Sequence, residues 1–149
     1  MSRHLYGQDD AEYEVYLPYF AETKLKTSHR SGYKLHITVS VEHHVQLAQA
    51  ILPMLRDLRA HHKVVLPRMY ERFNTGDSAG KFITVYAGPL GPATRIILRI
   101  DPVLTGLRAG GVQPGPTPMN RQAGYTEAEE EIGGSGMITW LWLDNLTRG

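Results

Sequence analysis

The segment Tyr33-Lys34-Leu35-His36-Ile37-Thr38-Val39 constrains the fold more than any other part of the chain. Its strict alternation puts Tyr33, Leu35, Ile37 and Val39 on one side of a β-strand and Lys34, His36 and Thr38 on the other. One side must be buried and the other carries two basic groups about 7 Å apart along the strand. Ser40 follows as a candidate N-cap for a helix over Val41 to Ala60, with Glu42 in its first turn. Val45, Ala48, Leu52, Leu55 and Leu58 give that helix one apolar stripe. Pro53 lies within the stripe and is expected to kink or divide the helix. Arg56, Arg59, His61 and His62 fall near its C-terminal end, where positive charge suits the macrodipole. Lys63-Val64-Val65-Leu66 then reads as a second strand, ended by Pro67. A right-handed crossover would lay it parallel to the first and near it in the sheet.

The rest of the chain reads less sharply. Residues 1–31 read as an N-terminal extension, with a short helix over Glu12 to Phe20 and a basic loop from Thr23 to Gly32. Arg68 to Phe73 suits a short helix. Asn74 to Gly80 is a glycine-containing loop feeding a strand over Lys81 to Tyr86, rich in β-branched and aromatic residues. Gly88-Pro89-Leu90-Gly91-Pro92 reads as a turn, and Ala93 to Ile100 as another strand, with Arg95 and Arg99 projecting from one face. Gly and Pro crowd 106–118 enough to exclude regular structure, leaving a connection or a lid. Glu127 to Glu131 reads as a solvated acidic run. Met137 to Leu143 is a last strand with Trp140 and Trp142 on one face, suited to core packing or a subunit contact. The expectation is one α+β domain over 1–149, a mixed sheet with one long amphipathic helix.

Composition narrows the function. The chain has 149 residues, 42% of them hydrophobic, enough for a core. Sixteen Lys plus Arg against 15 Asp plus Glu give a net charge of +1, which argues against nucleic-acid binding through bulk charge. Cysteine is absent, which removes disulfides, thiolate nucleophiles and Cys-ligated metal or iron–sulfur sites. No apolar run is long enough to span a bilayer, and Met1 to Asp10 has no apolar signal region. The expected location is cytoplasmic; export by an uncleaved signal would leave no trace in the sequence.

Cations recur on the strands: Lys34 beside His36, Lys63, Lys81, then Arg95 and Arg99. Together they offer one anion-binding face with a histidine in it. His36-Ile37-Thr38 also matches half of a two-histidine phosphoesterase signature, but His4, His29, His43, His44, His61 and His62 supply no second copy. The pairs His43-His44 and His61-His62 would diverge by about 100° on a helix, which suits surface positions better than a metal site. Thr75 to Lys81 fails the spacing of a phosphate-binding P-loop and is followed by a strand.

The Tyr33–Val39 segment, the helix after it, Lys63, and Gly80-Lys81-Phe82-Ile83-Thr84-Val85-Tyr86 together resemble the phospholyase fold. That group comprises bacterial phosphothreonine lyase effectors, among them type III effectors, and the lyase domain of class III and IV lanthipeptide synthetases. The resemblance covers roughly Gly32 to Pro89. It implies β-elimination of phosphate from phosphoserine or phosphothreonine in a peptide or protein, leaving a dehydroamino acid and needing no metal or organic cofactor. By the same resemblance Lys63 is the general base for the α-proton. His36 is the acid for the departing phosphate, and Lys34 stabilises charge on the substrate carbonyl. Clustered cations would lower the proton affinity of Lys63 while holding the phosphate. Lys81 and Tyr86 join the phosphate-side set, with Arg72, Arg95, Arg99 and Arg121 as candidates by location. The implied partners are a phosphorylated substrate and a kinase that makes it; oligomeric state is not readable. The competing expectation is a non-catalytic module of the same fold that binds a phosphorylated or acidic peptide, as an effector or a biosynthetic accessory.

Overall fold

The computed structural model describes residues 12–16, 19–124 and 126–146. Its elements in chain order are β1 (Tyr13–Tyr16), β2 (Phe20–Thr23), β3 (Gly32–Ile37), α1 (His44–Asp57), β4 (His61–Val65), α2 (Pro67–Phe73), β5 (Ile83–Gly88), α3 (Leu90–Ala109), β6 (Glu130–Glu131) and β7 (Ile138–Leu143). The strands form one seven-stranded sheet in the order β1-β2-β4-β5-β3-β7-β6. Every neighbouring pair is antiparallel, so the expected mixed sheet is corrected to an antiparallel one. β3 and β4 do run parallel to each other, but β5 lies between them.

Alternation splits each central strand between two environments. Leu35 and Ile37 of β3, Val64 of β4, and Ile83 and Val85 of β5 are all fully buried in the core. Against them pack Leu47, Ala48, Ile51, Leu52 and Leu55 of α1 with Ala93, Ile96, Ile97, Ile100 and Leu104 of α3. Two helices on one face of one sheet is a two-layer α+β arrangement. The opposite face is left to carry Lys34, His36, Lys63 and Thr84.

Several expectations are revised here. The described part of 1–31 is not an appended extension: Glu12 to Phe20, expected as a helix, gives β1 and the start of β2. The helix expected over Val41 to Ala60 starts as a 3-10 turn at Val41–His43 and ends at Asp57. Ser40 precedes it, with its Oγ meeting His43 Nδ1 at 2.9 Å instead of a backbone N–H. His61 and His62 belong to β4, not to a helix end. Ala93 to Ile100, expected as a strand, lies inside the 20-residue helix α3, and Gly106 to Ala109 finish that helix.

Both long helices pass through a proline without dividing. A helical proline leaves the carbonyl four residues earlier without its N–H partner. For Pro53 that carbonyl belongs to Gln49 and for Pro102 to Leu98, and all four residues are solvent-exposed. Water can satisfy both carbonyls.

From Gly110 to Pro118 the chain is irregular but tied down. Ser40 N–H donates to Gln113 O at 2.9 Å and Thr38 Oγ1 to Pro116 O at 2.7 Å. A Cβ on Gly115 would lie 2.6 Å from Val39 O, and one on Gly80 would lie 2.1 Å from Pro116 O. The two glycines let this strap lie flat on the end of β3 and on the approach to β5. It then delivers Asn120, whose side chain accepts from Gln122 N at 2.9 Å and starts the 3-10 turn Arg121–Ala123.

Candidate active site

The strand registers assemble a row across the face opposite α1 and α3. Lys63 on β4 lies opposite Thr84 on β5, Thr84 opposite His36 on β3, and His36 opposite Thr139 on β7. Residues directly opposite share a face, with strands about 4.8 Å apart, so Lys63 and His36 start roughly 10 Å from each other. In the next row Tyr86, Lys34 and Leu141 stand side by side. Lys81 comes in from the turn before β5, and Arg121 from the end of the strap.

These side chains meet. Lys34, His36, Lys81 and Arg121 line two adjoining recesses, of about 110 Å³ and about 330 Å³. Lys63, Thr84 and Ser78 line the smaller one with the apolar side chains of Phe20, Val65 and Phe73. The Lys63 ammonium sits 4.5 Å from the centre of the Phe20 ring.

The residue that completes the arrangement comes from the acidic run. Glu129 is buried, its Oε1 2.7 Å from His36 Nδ1 and accepting Thr139 Oγ1 at 2.8 Å. Burial pushes the His36 imidazole down to about 4, against the opposing pull of Glu129. Burial pushes the Glu129 carboxyl up, but hydrogen bonds from His36 and Thr139 outweigh it, with help from Lys81, and hold it below its usual range. The lowered imidazole favours a neutral ring that donates Nδ1–H to a carboxylate. In that form the hydrogen bond sets the tautomer and leaves Nε2 as the basic nitrogen for an occupant of the recess.

The lysines are perturbed too. Burial first, then the charges of Lys63 and Lys81, push Lys34 down to about 8. Burial and Arg121 lower Lys63, although Glu22 pulls the other way. Two amines with lowered proton affinity, an imidazole and a guanidinium can hold a dianion and exchange protons with it.

The remaining candidates lie elsewhere. Arg72 is exposed in the last turn of α2. Arg95 and Arg99 are exposed on α3, on the far side of the sheet, because their segment is a helix. Tyr86 shares the face of Lys34, but its ring stacks on His61 at 4.5 Å between centroids and packs with Leu143 and Leu146. It lines neither recess of the site; with His61 and Arg95 it lines a separate hollow.

The histidine pairs are engaged in structure. His44 packs on Tyr70 and Phe82. His62 is fully buried, correcting the surface reading, and binds the Tyr13 hydroxyl and Ala60 O. Among the described residues no three His, Asp or Glu side chains are grouped to hold a metal ion, and no helix is long and apolar enough to cross a membrane.

Sequence reasoning missed Glu129 and Thr139. Composition gave no signal for Glu129, since four of the five residues from Glu127 to Glu131 are exposed. The available clue was His36 itself: an imidazole on a cation-rich, half-covered face needs an acceptor.

Fold and site together define an antiparallel α+β domain with a recessed cationic site built around a histidine–glutamate pair. Compared with models of known protein families and with curated proteins, the sequence matches none.

Proposed function

We propose that this chain removes phosphate from phosphothreonine or phosphoserine in a peptide or protein by β-elimination. The observation that carries the reading is the convergence of Lys34, Lys63, Lys81 and Arg121 around His36, whose ring is held by a buried carboxylate. Lys81 and Arg121 take the phosphate oxygens, Arg121 with the planar fork that suits them. The Lys63 amine, in its neutral form, takes the α-proton. The electron pair left on Cα forms the Cα=Cβ double bond as the Cβ–O bond breaks. Lys34, still mostly cationic at pH 7 with its value near 8, opposes the negative charge that grows on the substrate carbonyl oxygen.

His36 delivers a proton from Nε2 to the departing phosphate. In the empty site burial, and after it the charges of Lys34 and Lys81, disfavour its protonation. A bound dianion offsets those positive charges and raises the proton affinity of the ring, which takes a proton from water at Nε2. Glu129 then stabilises the imidazolium through Nδ1–H. The products are a dehydroamino acid and inorganic phosphate, and no electrons are exchanged with another molecule.

Incubation with a phosphothreonine peptide, followed by mass spectrometry, tests this. The expected product is lighter by phosphoric acid, and Lys63→Ala slows its formation at least about 100-fold. A product with its hydroxyl restored would indicate a phosphatase. Binding without mass loss would refute elimination and leave a phosphopeptide-binding module.

A further inference from the structure

The two recesses that meet at Lys34, His36, Lys81 and Arg121 are chemically unlike. The smaller contains Lys63 and Thr84 and is bounded by the β4 side of the sheet. The larger, about 330 Å³, runs toward β7, where Leu141 and Leu143 supply an apolar surface and Gln122, Asp144 and Asn145 the polar walls. Its size is within the range of pockets that hold organic ligands. A phosphoryl group gains nothing from leucine side chains and is served by the cations at the junction. The larger recess therefore suits a different part of the substrate.

Leu141 is partly open to this recess, while Leu143 is buried against Tyr86 and Leu146 and contributes only its edge. Leu141 lies opposite Lys34 and Leu143 opposite Gly32, so no β3 side chain stands beside Leu143. Alternation gives Leu141 and Leu143 the same face, about 7 Å apart. β6 pairs with Thr139 and Trp140 only, so among the described residues no strand covers the outer edge of β7 beyond them. Charge narrows the occupant further. A basic side chain would meet three cations, Lys34, Lys81 and Arg121, against the one exposed carboxylate of Asp144, which already accepts from Trp142 Nε1 at 3.3 Å; an acidic one would compete for the cations that the phosphate uses. Glu129 is already committed to His36 and Thr139.

We infer that the Leu141–Leu143 recess is a specificity subsite that takes an aliphatic side chain within two residues of the phosphorylated one. This rests on the phosphate recognition proposed above. The occupant is the substrate peptide itself, continuous with the phosphate held at the junction.

The test is a set of phosphothreonine peptides identical except at the two positions on either side, each carrying Gly, Leu, Asp or Lys. Affinities are read by fluorescence anisotropy on the full chain with Lys63→Ala, so that elimination does not consume the probe. Leu at one of these positions is expected to bind about tenfold tighter than Gly, and Asp and Lys no better than Gly. Leu141→Thr, which keeps a strand-forming residue, should bring the Leu-to-Gly ratio to within about twofold; a thermal melt establishes that the variant is folded. Equal affinity across the set would overturn the subsite and leave the phosphate reading intact. A Leu preference that Leu141→Thr does not change would overturn the assignment to this recess. No binding by any phosphopeptide would overturn both proposals. A Leu preference in binding, with no elimination by the unmodified chain, would support the subsite and refute the lyase.

Discussion

The His36–Glu129 contact makes a prediction whose sign separates two descriptions of the site. At 2.7 Å, with both side chains almost fully buried, the pair is geometrically compatible with a neutral imidazole or with an imidazolium. In the neutral description folded His36 resists protonation down to about pH 4, whereas in the unfolded chain it protonates near the usual 6.5. As pH falls below 6.5 the unfolded chain takes up a proton that the folded chain refuses, so stability falls with pH and levels off below about 4. The gap between the two values is worth about 3 kcal/mol, of which about 2 kcal/mol is lost between pH 7 and pH 5. An imidazolium pair has a folded value above 6.5, and stability then rises as pH falls through that range.

His62, also lowered to about 4 by burial, loses a similar amount over the same range. The assay therefore compares two proteins. Urea unfolding of the unmodified chain at pH 7 and pH 5, where exposed carboxylates remain mostly ionised, should show a loss of about 4 kcal/mol from the two histidines. His36→Asn, whose side-chain amide can still donate to Glu129, should lose only about 2 kcal/mol. An equal loss in both proteins would refute the neutral assignment, and a larger loss in the variant would favour the imidazolium. Nitrogen chemical shifts of the His36 ring give an independent reading: Nδ1 protonated and Nε2 not, unchanged from pH 7 to pH 5.

The lysine cluster predicts opposite shifts from two single changes. Lys81→Met should raise the Lys34 value from about 8 toward the ordinary 10.5, and Glu129→Gln should lower it, both read from the pH dependence of its side-chain NMR signals. Movement in the same direction would contradict the charge arrangement. Gly80→Ala puts a Cβ 2.1 Å from Pro116 O at a residue with φ +79°, so it should cost about 2–4 kcal/mol in urea unfolding and displace the strap that positions Arg121. A cost under about 1 kcal/mol would mean that the strap is not seated as described. Arg72→Ala and Arg99→Ala, both at exposed positions, should leave phosphopeptide affinity within about twofold, whereas Arg121→Ala should weaken it about tenfold, by isothermal titration calorimetry.

What the sequence disclosed and what it hid follow from how far each signal reaches along the chain. β3 and α1 were legible because burial on one side imposes a period of two or 3.6 within a few residues, and β4 and β5 because each is a short run of β-branched and apolar residues, β5 buried throughout. α3 was misread for the same reason, taken over too short a window. Ile96, Ile97, Leu98 and Ile100 have the β-branched and aliphatic content of a strand, and Gly88 to Pro92 resembles a turn. Only the longer set of Ala93, Ile96, Ile97, Ile100 and Leu104, all buried, reveals helical spacing. Lys34 and His36 were visible on one strand face, yet their distance from Lys63 depended on β5 inserting between β3 and β4. That insertion is a pairing choice with no local signature. Glu129 was hidden still further, since its burial depends on β7 bringing Thr139 beside His36, and on the bridge between Met119 and Ala128 holding the acidic run against that edge. A charge run can thus be solvated as a group and still supply one buried member. The clue to that member lies 93 residues away, in the hydrogen-bonding need of His36 that Glu129 meets.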